Sequence, residues 1–193
     1  MAVVINLFGG PGSGKSTTMA RLFSDLKQMG YNCEMVTEFA KDLVYENRMD
    51  TMKDELYIFA KQNHRLFRVK DKVDIIITDR PLLLTCIYDG LYGFNDKDLH
   101  QLVRSTFNRY NNVNILLKPV DVDYKTEGRL QDKEESDEIS ELIYIELVSN
   151  CIKTGTEYQI INTKDYESIL SYVVSKLNDG GSNIWLKWFY VLT

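Results

Sequence analysis

Cysteine is scarce in this 193-residue chain: Cys33, Cys86 and Cys151 are its three. The number is odd, the spacing is wide, and no pair has the separation of metal ligands, which excludes a disulfide framework and a cysteine-built metal centre. Buried free thiols in a reducing compartment are the expectation. Histidine is scarcer still, with two, and His64 has no Cys or carboxylate beside it at metal-ligand spacing. No apolar run approaches the roughly 20 residues that cross a bilayer, so no membrane partner is expected. No signal peptide is visible before the first apolar run at Val3, and a cytoplasmic location is the matching expectation. An excess of positive charge is also missing, since the net charge is −5 and the pI about 5.1. That balance argues against broad nucleic-acid binding and leaves room for a local basic cleft. The apolar and charged fractions, 44% and 26%, are those of a globular protein, and the length suits one domain.

What is present is concentrated near the start. VVINLFGGPGSGKSTTM runs from Val3 to Met19. Val3 to Phe8 is a strand-forming apolar run that stops at Gly9-Gly10-Pro11-Gly12-Ser13, and a helical pattern follows Gly14-Lys15-Ser16-Thr17. The spacing is that of the phosphate loop G-x-x-x-x-G-K-[ST]. Glycines let the backbone turn tightly and bring N–H groups against phosphate oxygens. The helix N-terminus adds unpaired N–H groups and partial positive charge. Lys15 can reach the outer phosphates of a nucleoside triphosphate, and Ser16 can ligate Mg²⁺.

Further along, Met19, Leu22, Phe23, Leu26 and Met29 mark a helix closed by Gly30, and Asn32 to Thr37 reads as a second strand. A strand, helix, strand unit of this length implies parallel pairing. Glu38 follows that strand, where open α/β sheets place ligands, although a lone loop Glu is also ordinary solvated surface. Phe39 to Tyr45 looks like a short helix. Lys53 to Lys70 is a longer one with Leu56, Phe59, Ala60, Asn63, Leu66 and Phe67 as its inward stripe. Its Tyr57, Lys61, His64 and Arg68 face is either solvated or turned to substrate.

Val73 to Thr78 is a third strand, apolar enough to be buried on both faces. Asp79-Arg80-Pro81 ends it; Asp79 is placed either to hold Mg²⁺ or to cap the next helix. Leu82 to Tyr88 reads as helix, Asp89 to Asn95 as loop, and Asn95 as the cap of a helix through Tyr110. That helix should face Leu99, Leu102, Val103, Thr106 and Phe107 inward and leave Arg104 and Arg109 solvated. Asn114 to Leu117 is a fourth strand, and 120–135 a polar, irregular stretch carrying Lys125, Arg129 and Lys133. Ser136 then caps a helix to about Lys153, with Ile139, Leu142, Ile143 and Leu147 inward. Tyr158 to Asn162 is a fifth strand and Tyr166 to Leu177 a last helix. The domain closes at 179. The tail 180–193 contains IWLKWFYVL, for which packing on the domain or a self-interface that builds a homo-oligomer is expected.

GGPGSGKST, TDRP after the third strand, and EGRLQDKEESDEI together make the chain resemble the P-loop kinases of nucleosides and nucleotides. Its likeness is greatest to the branch with the nicotinamide riboside kinase domain and phage-encoded AAA-type ATPases. The resemblance covers roughly residues 2–178. It implies an α/β fold with about five parallel strands, helices on both faces and a mobile lid at 120–135. It implies ATP and Mg²⁺. Gly9 through Thr17 would cradle the donor phosphates, with Lys15 neutralising the transferring group. Ser16 and Asp79 would act with the metal, and Arg80 would contact acceptor or phosphates. Glu38 would accept the proton of the attacking hydroxyl, and Lys125, Arg129 and Lys133 would form the lid.

Three functions fit these features. One is a kinase for a small nucleoside- or nucleotide-like acceptor. Another is a kinase acting on a hydroxymethylated base in DNA, with Lys61, Arg65, Arg68, Lys70 and Lys72 on backbone phosphates. The third is an ATP-dependent switch with no acceptor, using the apolar tail as a partner surface. The guanine-specific sequence N-K-x-D is absent, which disfavours GTP.

Overall fold

A computed structural model describes residues 1–119 and 133–179. The expected lid cations Lys125 and Arg129 and the tail 180–193 lie outside the described residues, and so does the side chain of Lys133.

The strands are β1 (Val3–Phe8), β2 (Cys33–Val36), β3 (Ile75–Thr78), β4 (Asn111–Lys118) and β5 (Tyr158–Asn162). They form one sheet in the order β2-β3-β1-β4-β5, with every pairing parallel. The helices are α1 (Lys15–Gln28), α2 (Ala40–Tyr45), α3 (Glu55–Phe67), α4 (Leu84–Leu91), α5 (Lys97–Phe107), α6 (Lys133–Thr154) and α7 (Tyr166–Asp179), with a short 3₁₀ turn at Thr51–Lys53.

Alternation along the strands divides the core in two. Ile5, Leu7, Ile75, Ile77 and Ile115 face α1 and α7, meeting Leu22, Leu26, Ile169 and Val173. Val4, Phe8, Ile76 and Leu116 face the other way, meeting Leu66 of α3, Leu84 of α4, Phe107 of α5 and Ile143 of α6. Burial of each such side chain contributes about 1.5–3 kcal/mol. The expected helices on both faces of a parallel sheet are therefore present, and the central strands carry the continuous apolar runs that double burial requires.

One polar residue interrupts β1. Asn6 is 1% exposed and donates to Asn112 Oδ1 at 2.9 Å and Asn114 Oδ1 at 3.2 Å. Asn114 in turn donates to the Glu157 carbonyl at 3.2 Å, linking β1, β4 and the start of β5.

Several local expectations need correction. On α3 the inward residues are Glu55, Ile58, Phe59, Gln62 and Leu66, while Leu56 and Phe67 are 57% and 59% exposed. Asp96, not Asn95, caps α5, accepting from the N–H groups of Asp98 and Leu99. Asp89, Gly90 and Leu91 belong to α4 instead of the following loop. Leu102 and Leu142 point outward. Arg104 is not simply solvated: its Nε and Nη2 donate to Glu146 at 2.7 and 2.8 Å. Helix α6 begins at Lys133, so Ser136 sits inside it and is not its cap.

Asn114→Ala should remove a partner from buried Asn6 and the side-chain donor from the Glu157 carbonyl. A loss of about 1–3 kcal/mol in chemical denaturation is expected, with the sheet retained by circular dichroism.

Candidate active site

The ends of β1, β2 and β3 converge on one carboxylate. Asp79 follows β3 and is 3% exposed. Its Oδ2 accepts from Ser16 Oγ at 2.6 Å, at the start of α1. Its Oδ1 accepts from the Glu38 N–H at 3.0 Å, just after β2. Gln62 of α3 steadies the same turn: its Oε1 accepts from the Phe39 N–H at 2.9 Å and its Nε2 donates to the Thr37 carbonyl at 3.3 Å.

The glycine loop before α1 is held from both flanks. Ser136 Oγ of α6 donates to the Pro11 carbonyl at 2.6 Å. Thr163, after β5, donates to the Ser13 carbonyl at 2.9 Å. These contacts explain two glycines. A Cβ on Gly10 would lie 2.1 Å from Ser140 Oγ and 2.7 Å from the Ser136 carbonyl oxygen. Gly14 has φ +85°, and its Cβ would meet Thr163 Cγ2 at 2.6 Å. Ser13 Oγ, buried and without a hydrogen-bond partner among the described residues, fills the space beside Gly9. The Lys15 ammonium lies over the loop, donating to the Gly9 and Gly10 carbonyls at 2.7 and 2.8 Å.

Beside the loop lies a second, buried cluster. Arg80, 4% exposed at its side chain, donates from Nη1 to Glu38 Oε1 at 3.0 Å. Its Nη2 lies 3.2 Å from each carboxylate oxygen of Glu55 on α3. The guanidinium carbon sits 4.4 Å from the centre of the Tyr88 ring. Burial opposes the guanidinium charge, but Glu55 and Glu38 outweigh it and raise the Arg80 pKa. Burial pushes the Glu55 carboxyl up to about 7, with the Arg80 charge pulling against that rise.

Loop and cluster share a cleft of about 350 Å³. Gly12, Gly14, Lys15, Ser16 and Thr17 line one end; Glu38, Glu55, Arg80, Tyr45, Tyr88 and Tyr92 line the other. Asp79 lies behind Ser16, beneath the lining. Among the described residues no group of three or more His, Cys, Asp or Glu could hold a metal. The Ser16 and Asp79 oxygens do suit Mg²⁺, which takes one or two protein oxygens and completes its shell with phosphate and water.

The structure thus brings Gly9 through Thr17, Glu38, Asp79 and Arg80 together, while Arg129 lies outside the described residues. Glu55, Tyr88, Tyr92, Ser136 and Thr163 join the site without being site candidates in the sequence; Ser136 reads there as a helix cap. A signal existed for Glu55 and Gln62: they share a helical face with Ile58, Phe59 and Leu66. Of the cations considered for DNA, Arg65 pairs with Asp42 and bonds Thr37, and Lys70 pairs with Asp71. Lys61, Arg68 and Lys72 are exposed. No described helix is long and apolar enough to cross a membrane.

A family model described as an AAA domain matches residues 4–168. No curated protein matches the sequence. Among solved structures, a NadR protein in complex with NR superposes with a TM-score of 0.69 at 18% identity, over 89% of this chain and 50% of that one. The chain therefore spans half the length of the NadR chain. A thymidylate kinase from Ehrlichia chaffeensis superposes with a TM-score of 0.61 at 16% identity, over 92% of this chain and 100% of its own. Likeness at these identities establishes the shared fold: a five-stranded parallel sheet flanked by helices, as in P-loop kinases.

The raised Glu55 pKa predicts a pH effect on stability. The unfolded chain releases this proton near pH 4.3 and the folded chain near about 7. Between those values the folded state binds more protons, so its stability falls as pH rises through the window and levels off above it. Thermal unfolding at pH 5 and pH 7.5 should show this decline in the native chain and a smaller one in Glu55→Gln.

Proposed function

We propose, from the premise that this chain belongs to the AAA domain family, that it is an ATP-dependent kinase for a small nucleoside- or nucleotide-like acceptor. The observation that carries this reading is the position of Glu38: its carboxylate lines the same cleft as Lys15 and Ser16, and its backbone is tied to them through Asp79. The two structural neighbours, one in complex with NR and one a thymidylate kinase, support the reading by fold.

In this reading the loop N–H groups and the α1 N-terminus bind the triphosphate, and Lys15 moves from its own loop carbonyls to phosphate oxygens. Ser16 and Asp79 would hold Mg²⁺, which would supply charge neutralisation at the phosphates. Glu38 takes the proton of the acceptor hydroxyl as that oxygen bonds the γ-phosphorus; the bond from phosphorus to the bridging oxygen breaks, and ADP leaves with the electron pair. Among the described residues Glu38 Oε2 has no protein hydrogen bond, while Oε1 is held by Arg80. Arg80 is a positioning residue, fixing the angle at which Glu38 meets the hydroxyl. Arg129 and its neighbours are proposed to supply cations over the donor phosphates. A cleft of about 350 Å³ suits a small acceptor, and DNA contacts would have to use the Lys61 and Arg68 surface. A cytoplasmic location belongs to the same proposal, in keeping with three buried free thiols.

The separation of binding from turnover tests these roles. Glu38→Gln should lower kcat by about 100-fold or more while ATP affinity changes less than threefold. Lys15→Ala and Asp79→Ala should abolish transfer with the fold retained. Full turnover in Glu38→Gln would remove it as the base; no product from any nucleoside or nucleotide would remove the kinase reading.

A further inference from the structure

Helix α6 carries more apolar residues than one buried face can use. Ile139, Ile143, Leu147 and Cys151 enter the core between the helix and the sheet. Ile145 and Ile152, seven residues apart on the outer face, are 55% and 75% exposed. Val148 lies between them at helical spacing, half-buried. From residue 142 to 152 the helix is therefore apolar on its outer side as well as its core side, the pattern of a helix covered from both. The same surface continues onto the sheet. Tyr144 lies against Tyr158 at the start of β5. β5 is the last strand in the sheet order, and its Ile160 is 44% exposed. Ile160 alternates with Ile161, which enters the α7 side of the core, so it belongs to the α6 side.

The chain supplies a cover of matching chemistry. Residues 184–192 read IWLKWFYVL, with one charge, Lys187. Glu141 and Glu138, both exposed, stand on the outer face of α6 one and two turns before Ile145, an acidic border for that lysine. The segment also leaves the domain at the right corner. Lys176, in the last turn of α7, pairs with Glu157, in the turn between α6 and β5. α7 ends three residues later, at Asp179. Residues 180–193 reach at most about 46–50 Å when extended, whereas Ile145 and Ile152 are about 10.5 Å apart along the helix axis.

Strand addition is the other way to cover this edge, and the handedness of the chain opposes it. From β4 to β5 the chain crosses by α6 on one face of the sheet. From β5 to a parallel strand beyond it, the chain would move in the same direction by α7 on the opposite face. The two crossovers would have opposite hands, and such crossovers are right-handed almost without exception.

We propose that the segment 184–192 packs, within its own chain, past the β5 edge onto the outer face of α6 formed by Ile145, Val148 and Ile152. Tethering favours the chain's own tail over that of a second copy, because a short flexible link holds the segment at an effective concentration of about millimolar. The packing depends on no step of the kinase reading.

Trp185 and Trp188 are the chain's two tryptophans, so tryptophan fluorescence of the full chain reports the tail alone. Their emission should be blue-shifted from that of the free amino acid and unchanged on dilution, with a monomer's mass by light scattering. In the double variant Ile145→Glu/Ile152→Glu it should move at least halfway back, with helix content retained by circular dichroism. Ile152→Glu alone, at the more exposed position, serves if the double variant does not fold. Phe67→Glu, an exposed apolar site on α3, should leave the emission unchanged. Removal of residues 180–193 should lower the melting temperature by at least about 5 °C. Emission at the free-tryptophan wavelength in the native chain would overturn the proposal. So would a blue shift lost on dilution together with a dimer's mass, or one that the folded α6 variants leave intact.

Discussion

The contact on which the site depends is the grip of the Asp79 carboxylate on two neighbouring strand ends. One oxygen takes the Ser16 hydroxyl and the other takes the Glu38 backbone N–H. The strands β1, β2 and β3 are adjacent in the sheet only because the connections through α1 and α3 return the chain in parallel. A parallel sheet puts the carboxyl ends of all its strands on one rim, and Asp79 closes that rim at the crossing of the loop, the candidate metal ligands and the candidate base. Displacing this carboxylate would separate the groups proposed to bind phosphate from the group proposed to face the acceptor.

Behind that grip stands the Arg80 cluster. Burying an arginine with two glutamates is not a general source of stability, because desolvation offsets the attraction between the charges. Its retention makes sense as geometry. Arg80 connects α3, through Glu55, to the β2 end, through Glu38, and stacks on Tyr88 of α4. Three elements that wall the proposed acceptor end are thereby indexed to one planar group. The loop is indexed similarly from its other side, where Ser136 and Thr163 hold the carbonyls of Pro11 and Ser13. Both halves of the cleft are set by side chains far from the loop in sequence.

That distance explains what could be read in advance. The phosphate loop, the five strands and the carboxylates at two strand tips are local patterns: a glycine spacing, apolar runs, and an acid after two of those runs. They are legible because backbone geometry and burial on both faces dictate them locally. The α3 stripe is not legible locally, because Leu56 and Phe67 look like core while Glu55 and Gln62 look like surface. Only the burial of Arg80, and the Thr37 and Phe39 backbone groups that Gln62 bonds, reverse those assignments. Ser136 had the signature of a helix cap, yet its hydroxyl is used by the Pro11 carbonyl, a partner no local rule predicts. Tyr88 and Tyr92 carry no motif and enter the site because α4 packs α3 across it.

The most direct measurement is a structure of the full chain with a non-hydrolysable ATP analogue, Mg²⁺ and a nucleoside. The account predicts the outer phosphates within hydrogen-bond reach of residues 9–17 and Lys15, the ion against Ser16, and the acceptor hydroxyl beside Glu38. Phosphates bound away from the glycine loop, or a nucleoside whose hydroxyls all lie beyond the reach of Glu38, would contradict it.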